Sequence, residues 1–189
     1  MSSARDTSAM TDRILRTADR LFYEQGIRAV GVDLVAAEAG VSKRTLYNHF
    51  PSKDALIVAY LQRRARPARI TDEPPQTQIL RLFERLEAGF AERGFHGCPF
   101  VNAVAELGEP THPARAVAKD FKAERRAWFQ TLVERMGVAD PRMLATQLAL
   151  LLDGAISAAL VGGDPKVARA ARDAASLLLT TAKRRAVRK

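Results

Sequence analysis

A four-residue turn, Ala39-Gly40-Val41-Ser42, joins two short segments of helical pattern and leaves few folds open to this part of the chain. Apolar residues recur at helical spacing before it, which predicts a helix from about Val32 to Ala39, capped by Gly31. Glycine ends a helix at little cost because it readily adopts the left-handed conformation, and serine is a favoured N-cap. The sequence therefore predicts a helix-turn-helix unit whose second helix covers Lys43 to Phe50.

The second predicted helix separates its side chains by face. Leu46 and Phe50, four residues apart, are expected to point into a core. The N-terminal end of a recognition helix meets base edges, and Arg44 is best suited there because a guanidinium donates to O6 and N7 of guanine together. Tyr47, His49 and Lys53 are expected to contact phosphates, which fix register without carrying sequence information. The predicted DNA-binding residues are Lys43, Arg44, Thr45, Tyr47, Asn48, His49 and Lys53.

The run AAEAGVSKRTLYNHFPSKDAL resembles the DNA-binding signature of the TetR/AcrR family of bacterial repressors. That signature combines an Ala-Gly-Val-Ser turn, a Leu-Tyr-x-x-Phe recognition helix and a Ser-Lys-x-x-Leu start to the following helix. Two positions depart from it: Gly31 replaces the usual Ser or Thr cap, and Leu34 stands where the pattern is usually polar. The matching positions are Ala39, Gly40, Val41, Ser42, Leu46, Tyr47, Phe50, Lys53 and Leu56, with Ile14, Ala18, Leu21, Phe22 and Gly26 upstream.

The resemblance implies an all-α homodimer of about nine helices that binds a palindromic operator and is a repressor released by a small molecule. It implies an N-terminal three-helix DNA-binding domain and a C-terminal helical domain for ligand binding and dimerisation, with the fourth helix transmitting the ligand's effect. The stretch Pro67 to Gln76, with Asp72-Glu73-Pro74-Pro75, is the clearest break in the chain. We therefore expect domains over residues 1–66 and 67–189.

Composition limits the cellular location and the kinds of partner that the protein can have. The chain has 189 residues, a net charge of +9 and one cysteine, which excludes an internal disulfide and favours the cytoplasm. No stretch reads as an export signal or a membrane span. The positive charge favours an acidic partner such as double-stranded DNA, and the basic tail 183–189 is either a DNA-touching arm or a solvated terminus. We expect residues 1–10 to be disordered and Thr11 to cap the first helix, and we expect no cofactor.

The helical pattern continues to the C-terminus, where one set of residues is suited to an apolar ligand cavity. The segment GCPFVNAVAEL resembles one that borders the effector cavity in a subset of TetR-type regulators. The aromatic members of the set are equally suited to filling a bundle core, and periodicity does not separate the two interpretations. The predicted ligand-binding residues are Phe83, Phe90, Cys98, Asn102, Trp128 and Phe129.

Cys98 and two histidines each allow a second interpretation. A thiol at a helix N-terminus can sense oxidants or electrophiles, but a lone cysteine among apolar residues is more often a small buried hydrophobe. His96 and His112 have acidic neighbours, yet no tight metal-ligand spacing occurs, so we expect no metal site. An enzyme that uses Cys98 is disfavoured because no His or Asp partner stands at recognisable spacing.

The last two predicted helices, Pro141 to Val161 and Asp164 to about Lys183, differ from the others. The first is apolar on every side, so it must be covered on every side, and a second copy of the chain is the economical cover. The predicted dimer-interface residues are Leu148, Leu151, Leu152, Ala155, Ala159, Ala170, Ala174, Leu177 and Leu178. The alternatives to a ligand-responsive regulator are a sequence-tolerant DNA-binding protein and a regulator that senses oxidants or electrophiles through Cys98.

Overall fold

A computed structural model describes residues 2–66 and 68–187, and within these ranges the chain forms helices and no strands. The predicted all-α fold of about nine helices is confirmed. Most helices begin and end within a few residues of the predicted positions. The helices are α1 Ser2–Gln25, α2 Val32–Glu38, α3 Lys43–His49, α4 Lys53–Arg64, α5 Pro75–Phe90, α6 Pro99–Leu107, α7 Pro113–Arg135, α8 Pro141–Gly162 and α9 Val167–Val187.

The chain divides into two compact units that do not follow chain order. The first unit combines Met1–Arg66 with Pro99–Asp120, and the second combines Pro67–Cys98 with Phe121–Lys189. Helix α6 and the beginning of α7 therefore group with α1 to α4. One limit of the first unit falls at the predicted boundary after residue 66. The predicted division of roles between residues 1–66 and 67–189 stays a prediction.

In the first unit, α1 packs against α2 and α4 through one apolar face. Ile14, Ala18 and Leu21 are at most 1% exposed, as their helical spacing predicts. Phe22 meets Tyr60 of α4 edge to face, with ring centroids 5.6 Å apart. Burial raises the pKa of the Tyr60 phenol, so this ring stays neutral in the core.

Helix α1 begins at Ser2, nine residues earlier than its predicted start at Thr11. The hydroxyl of Thr11 donates to the carbonyl of Thr7 at 2.9 Å, which is the bond of a threonine inside a helix and not that of a cap. The preceding residues contain no Gly or Pro, so nothing in the sequence stops the helix from extending backwards. The expectation that residues 1–10 are disordered was therefore wrong for Ser2 to Met10.

In the second unit, α5, α8 and α9 pack around one hydrophobic core. The Pro-rich stretch before α5 is fixed to that helix by a buried amide, since Gln78 accepts from the Thr71 N–H at 3.0 Å and donates to the carbonyls of Thr71 and Glu73. This arrangement satisfies a buried polar side chain and backbone groups that have no helical partner. Of the described helices, α8 is long and apolar enough to cross a membrane by length and composition, a test that core helices of soluble proteins also pass.

Candidate nucleic-acid interface

The turn between α2 and α3 has the caps that its sequence predicts. Gly40 adopts the left-handed conformation at φ +62°, where a residue with a Cβ is strained. Ser42 Oγ accepts from the Thr45 N–H at 3.0 Å, and the two hydroxyls lie 2.8 Å apart. Gly31 occupies the cap of α2 without a side-chain hydrogen bond. The recognition helix α3 is therefore fixed mainly at its own N-terminus.

The side chains of α3 divide by face as predicted. Leu46 is fully buried and Phe50, just beyond the helix, is 7% exposed. On the opposite side, the predicted DNA-binding residues Lys43, Arg44, Tyr47 and Asn48 are exposed. Two apolar anchors thus hold a helix of only seven residues, while its polar face stays open to a ligand.

Lys43 forms an ion pair within the chain. Its ammonium group lies 2.8 Å from a carboxylate oxygen of Asp33 on α2. The hydrogen bond to Asp33 raises the pKa of Lys43, so the ammonium stays charged at neutral pH. Both side chains are more than half exposed, at 54% and 73%, so salt weakens the pair and a DNA phosphate competes with Asp33 for Lys43.

The side chains of Arg44 and Asn48 differ from that of Lys43, because neither forms a hydrogen bond or ion pair with another described residue. Their positions, four residues apart on α3, place them on one face one turn apart. Arginine paired with guanine and asparagine paired with adenine are the usual bidentate readers of bases. This face is therefore free to read two neighbouring base pairs.

His49 is fixed by α1, a contact that sequence reasoning missed. Its Nδ1 lies 2.8 Å from Thr11 Oγ1, and that hydroxyl already donates its proton to Thr7. The imidazole must therefore donate at Nδ1, which leaves Nε2 as its remaining polar atom. The only signal in the sequence was that Thr11 is a polar residue on a helix whose other face is apolar. This signal does not identify His49 as its partner.

Lys53 and Thr45 are the remaining two of the predicted DNA-binding residues. Lys53 begins α4 and is partly buried, after Ser52, whose hydroxyl accepts from the Ala55 N–H at 3.0 Å. Thr45 is partly buried beside the Ser42 cap. The N-terminus of α4 adds free N–H groups that favour an anion such as phosphate. The seven predicted residues thus occupy α3 and the first residue of α4.

Two ion pairs fix the end of α4 to α1. Arg64 donates to both carboxylate oxygens of Asp19, at 2.6 and 3.1 Å, and lies 3.9 Å from the centre of the Tyr23 ring. Arg63 makes a single contact of 2.7 Å with Asp12. Together with the buried face of α1, these contacts hold α4 against α1.

The segment 99–120 also contacts the elements that carry the DNA-binding face. The Glu106 carboxylate of α6 accepts from the backbone N–H of Arg28 at 3.0 Å, in the loop between α1 and α2. Gly26 is left-handed at φ +90°, and a Cβ there would lie 3.0 Å from the same carboxylate. His112 Nδ1 accepts from the Ala114 N–H, so its buried Nε2 carries the proton, 3.4 Å from Asp54 Oδ1 on α4.

The predicted ligand-binding residues do not all fall in one unit. Phe83 and Phe129 stack at 6.4 Å in the core of the second unit, and Trp128 meets Phe129 at 5.2 Å. Phe90 is 9% exposed and packs on Phe95 instead. Asn102 belongs to the first unit. The aromatic residues thus contribute to core packing, and a ligand role for the set stays a prediction.

Cys98 is partly buried in the second unit, a state that fits both of its interpretations. Within the described ranges, no three His, Cys, Asp or Glu side chains lie close enough to hold a metal ion. His112 is 7% exposed and caps α7 through its Nδ1.

In the basic tail 183–189, only Lys183 has a described side chain, and it is exposed. A DNA-touching role for the remainder of the tail lies outside the described residues.

Several predicted dimer-interface residues are already covered within one chain. Leu148, Leu152, Ala155 and Ala159 are at most 6% exposed in the core of the second unit, because α5 and α9 cover that side of α8. Leu151, Ala174 and Leu178 are partly buried, while Ala170 and Leu177 are exposed. An apolar helix pattern predicts burial but does not say which side the same chain covers. The exposed large apolar side chains of α8 and α9 are Met143, Leu150, Leu160, Val161 and Leu177.

Comparisons with known proteins agree with this geometry. The model of the N-terminal domain of bacterial regulatory proteins of the TetR family matches residues 14–60, and a tetracyclin repressor-like C-terminal domain matches residues 112–181. A TetR-family transcriptional regulator from Streptomyces coelicolor is 33% identical, with a TM-score of 0.86 over 93% of this chain and 97% of its own.

Two further relatives extend the comparison. An HTH-type transcriptional regulator of Escherichia coli strain K12 is 26% identical over 156 residues, covering 78% of this chain and 82% of its own. An HTH-type transcriptional regulator of Mycobacterium tuberculosis is 44% identical over 64 residues, which are 34% of this chain. That match spans only 32% of the relative's own length.

The fold and the exposed face of α3 define a helix-turn-helix DNA-binding protein built entirely of helices. More narrowly, the chain belongs to the TetR family of transcriptional regulators. The resemblance predicted from the turn and recognition helix is thereby confirmed. Members of this family are regulators and not enzymes, and they typically dimerise and bind small molecules.

Proposed function

We propose that this protein is a cytoplasmic, homodimeric regulator that binds a palindromic DNA operator and, as a repressor, is released from it by a small molecule. The observation that carries the proposal is the exposed face of α3, where Arg44 and Asn48 have no partner within the described chain. A face with unpaired bidentate readers is suited to base edges in the major groove. Lys43, Tyr47, His49 and Lys53 surround it as phosphate contacts.

The exposed side of α8 supports the proposed dimer. Met143, Leu150 and Val161 are 55%, 67% and 85% exposed and recur at helical spacing, with the small residues Gly154 and Ser157 between them. Leu177 of α9 is 69% exposed. A contiguous apolar face of this kind on a soluble regulator favours a protein partner, and a second copy supplies an identical face. Two recognition helices about one DNA turn (~34 Å) apart then match a palindromic site.

Release by a ligand requires a connection to the DNA-binding face. Helix α6 contacts the α1–α2 loop through Glu106 and Arg28, and the start of α7 contacts α4 through His112 and Asp54. A ligand that moves α6 therefore changes contacts on the α1–α2 loop and on α4. Such a change alters DNA affinity only to the extent that the ligand binds the two states unequally.

The proposal is tested by selecting genomic fragments with the purified protein at roughly physiological salt, where non-specific binding is weak. We expect a few enriched fragments that share a palindrome. Arg44→Ala should abolish the enrichment, and Arg85→Ala, which removes an exposed arginine of α5, should leave it intact. Enrichment without a shared sequence would refute the site-specific regulator and support sequence-tolerant DNA binding.

A further inference from the structure

A charged residue interrupts the buried side of α7 in the second unit. Phe121, Arg125 and Phe129 are spaced four residues apart and so lie on one face of the helix. Phe129 is fully buried, while Phe121 and Arg125 are partly buried. The helical pattern of α7 predicts Arg125 on its outer side, although a cation spaced evenly between two phenylalanines is unusual on an apolar stripe.

The side chain of Arg125 has no hydrogen bond or ion pair with another described residue. Its guanidinium carbon lies 5.5 Å from the centre of the Phe121 ring. Asp153 of α8 attracts it electrostatically, but that carboxylate already accepts a hydrogen bond from Lys122. Two cations therefore share one carboxylate, and one positive charge is left over.

Burial lowers the pKa of Arg125, and the charges of Asp153 and Cys98 oppose this effect. The guanidinium nevertheless stays charged at neutral pH, because arginine does not lose its proton in proteins. A partly desolvated cation without a partner is unfavourable, and such groups are usually paired. Other arginines of this unit follow that rule: Arg169 donates to both oxygens of Glu87, and Arg172 donates to Glu84.

We propose that Arg125 binds the carboxylate of a small organic acid with an apolar body, and that this acid is the effector. The inference rests on the proposed ligand-responsive function and names the chemical class of the ligand. One surplus positive charge matches one negative charge, and the guanidinium fork binds both oxygens of a carboxylate. Phe121, one turn before Arg125 and only partly buried, provides apolar surface for the body of the acid.

The test is calorimetric titration of the full-length protein with monocarboxylates from butyrate to dodecanoate and with 3-phenylpropionate, each beside the alcohol of the same carbon skeleton. We expect at least one acid to bind, with its alcohol weaker by about 10- to 100-fold, the range for a charge-assisted hydrogen bond. Arg125→Gln should lose the same factor. Arg126→Gln, which neutralises the exposed neighbour on the same helix, should keep the affinity of the native protein.

A second variant separates binding from folding. Arg125→Met removes the unpaired cation and keeps an unbranched side chain, so it should raise the thermal midpoint of the unliganded protein while abolishing acid binding. A purely structural role for Arg125 would instead lower that midpoint. The inference is overturned if no acid binds the native protein, if alcohols bind as well as acids, or if Arg125→Gln binds acids unchanged.

The same acids are then tested for their effect on binding to the selected DNA. An acid that binds through Arg125 but leaves DNA affinity unchanged would refute its role as effector and the proposed release by ligand, while the binding site itself would stand. A neutral compound that releases the DNA, with no acid binding at all, would support the proposed function and refute the assignment of Arg125.

Discussion

The pair formed by Arg64 and Asp19 should be the strongest ion pair between α4 and α1. It has two hydrogen bonds, at 2.6 and 3.1 Å, and its side chains are only 26% and 25% exposed. The neighbouring pair of Arg63 and Asp12 joins the same two helices through one contact, with side chains 36% and 46% exposed. The two pairs differ in geometry and burial but not in the elements they join, so one is a matched control for the other.

The expected magnitude follows from the burial of each pair. Exposed ion pairs contribute about 0–1 kcal/mol, whereas breaking a buried pair costs about 3–5 kcal/mol. At one quarter exposure, we expect the coupling free energy between Arg64 and Asp19 to be about 1–2 kcal/mol. Arg64 also stacks on Tyr23, which adds about 0.5–1 kcal/mol, so Arg64→Met should destabilise the protein by about 1.5–3 kcal/mol. For Arg63 and Asp12, the coupling should not exceed about 0.5 kcal/mol.

The assay is a double-mutant cycle with Arg64→Met and Asp19→Asn, measured by urea unfolding. Because the chain has two compact units, the transition is followed by helical circular dichroism and by the fluorescence of Trp128, which lies in the second unit. The same cycle with Arg63→Met and Asp12→Asn is the control. A coupling for Arg64 and Asp19 no larger than that of the control pair would refute the reasoning from burial and bidentate geometry.

Three further predictions concern the cap, the acid range and the dimer. Ser42→Ala should destabilise α3 by about 0.5–2 kcal/mol and weaken DNA binding, whereas Ser42→Thr should restore both; unchanged amide exchange at Thr45 would contradict the cap. Hydrogen bonding to Arg169 lowers the pKa of Glu87, so this carboxylate stabilises the fold above pH ~4.5 and stops doing so as the pH falls through its lowered pKa. Glu87→Gln should therefore lose less stability on acidification than the native protein, in thermal melts across that range. Leu177→Glu should produce a monomer in sedimentation equilibrium without lowering helical content, and a persistent dimer would exclude α9 from the interface.

The local fold was predictable where short-range chemistry determines it. Gly40 and Ser42 specify the turn because left-handed glycine and a serine cap each act within four residues. Leu46 and Phe50 specify the buried side of α3 through spacing alone. The start of α1 was not predictable in this way, since a threonine in a helix interior and a threonine cap look alike in sequence.

Long-range contacts were the part that sequence did not reveal. The bond between Thr11 and His49 spans 38 residues, and Glu106 reaches Arg28 across 78. Periodicity predicts that α8 is apolar on every side, but only packing shows that Leu148 faces its own core while Leu150 is exposed. The assignment of dimer residues stays a prediction, because the pattern of one helix carries no information about which neighbour covers it.

Whether two α3 helices read a symmetric site through Arg44 can be measured by a guanine-methylation interference footprint on a selected fragment. Methylation of N7 blocks the acceptor that a guanidinium uses in the major groove. We predict interfering guanines in two symmetric half-sites about one helical turn (~10 bp) apart, and their loss with Arg44→Ala. Interference that is unsymmetrical, or that Arg44→Ala leaves unchanged, would contradict the account.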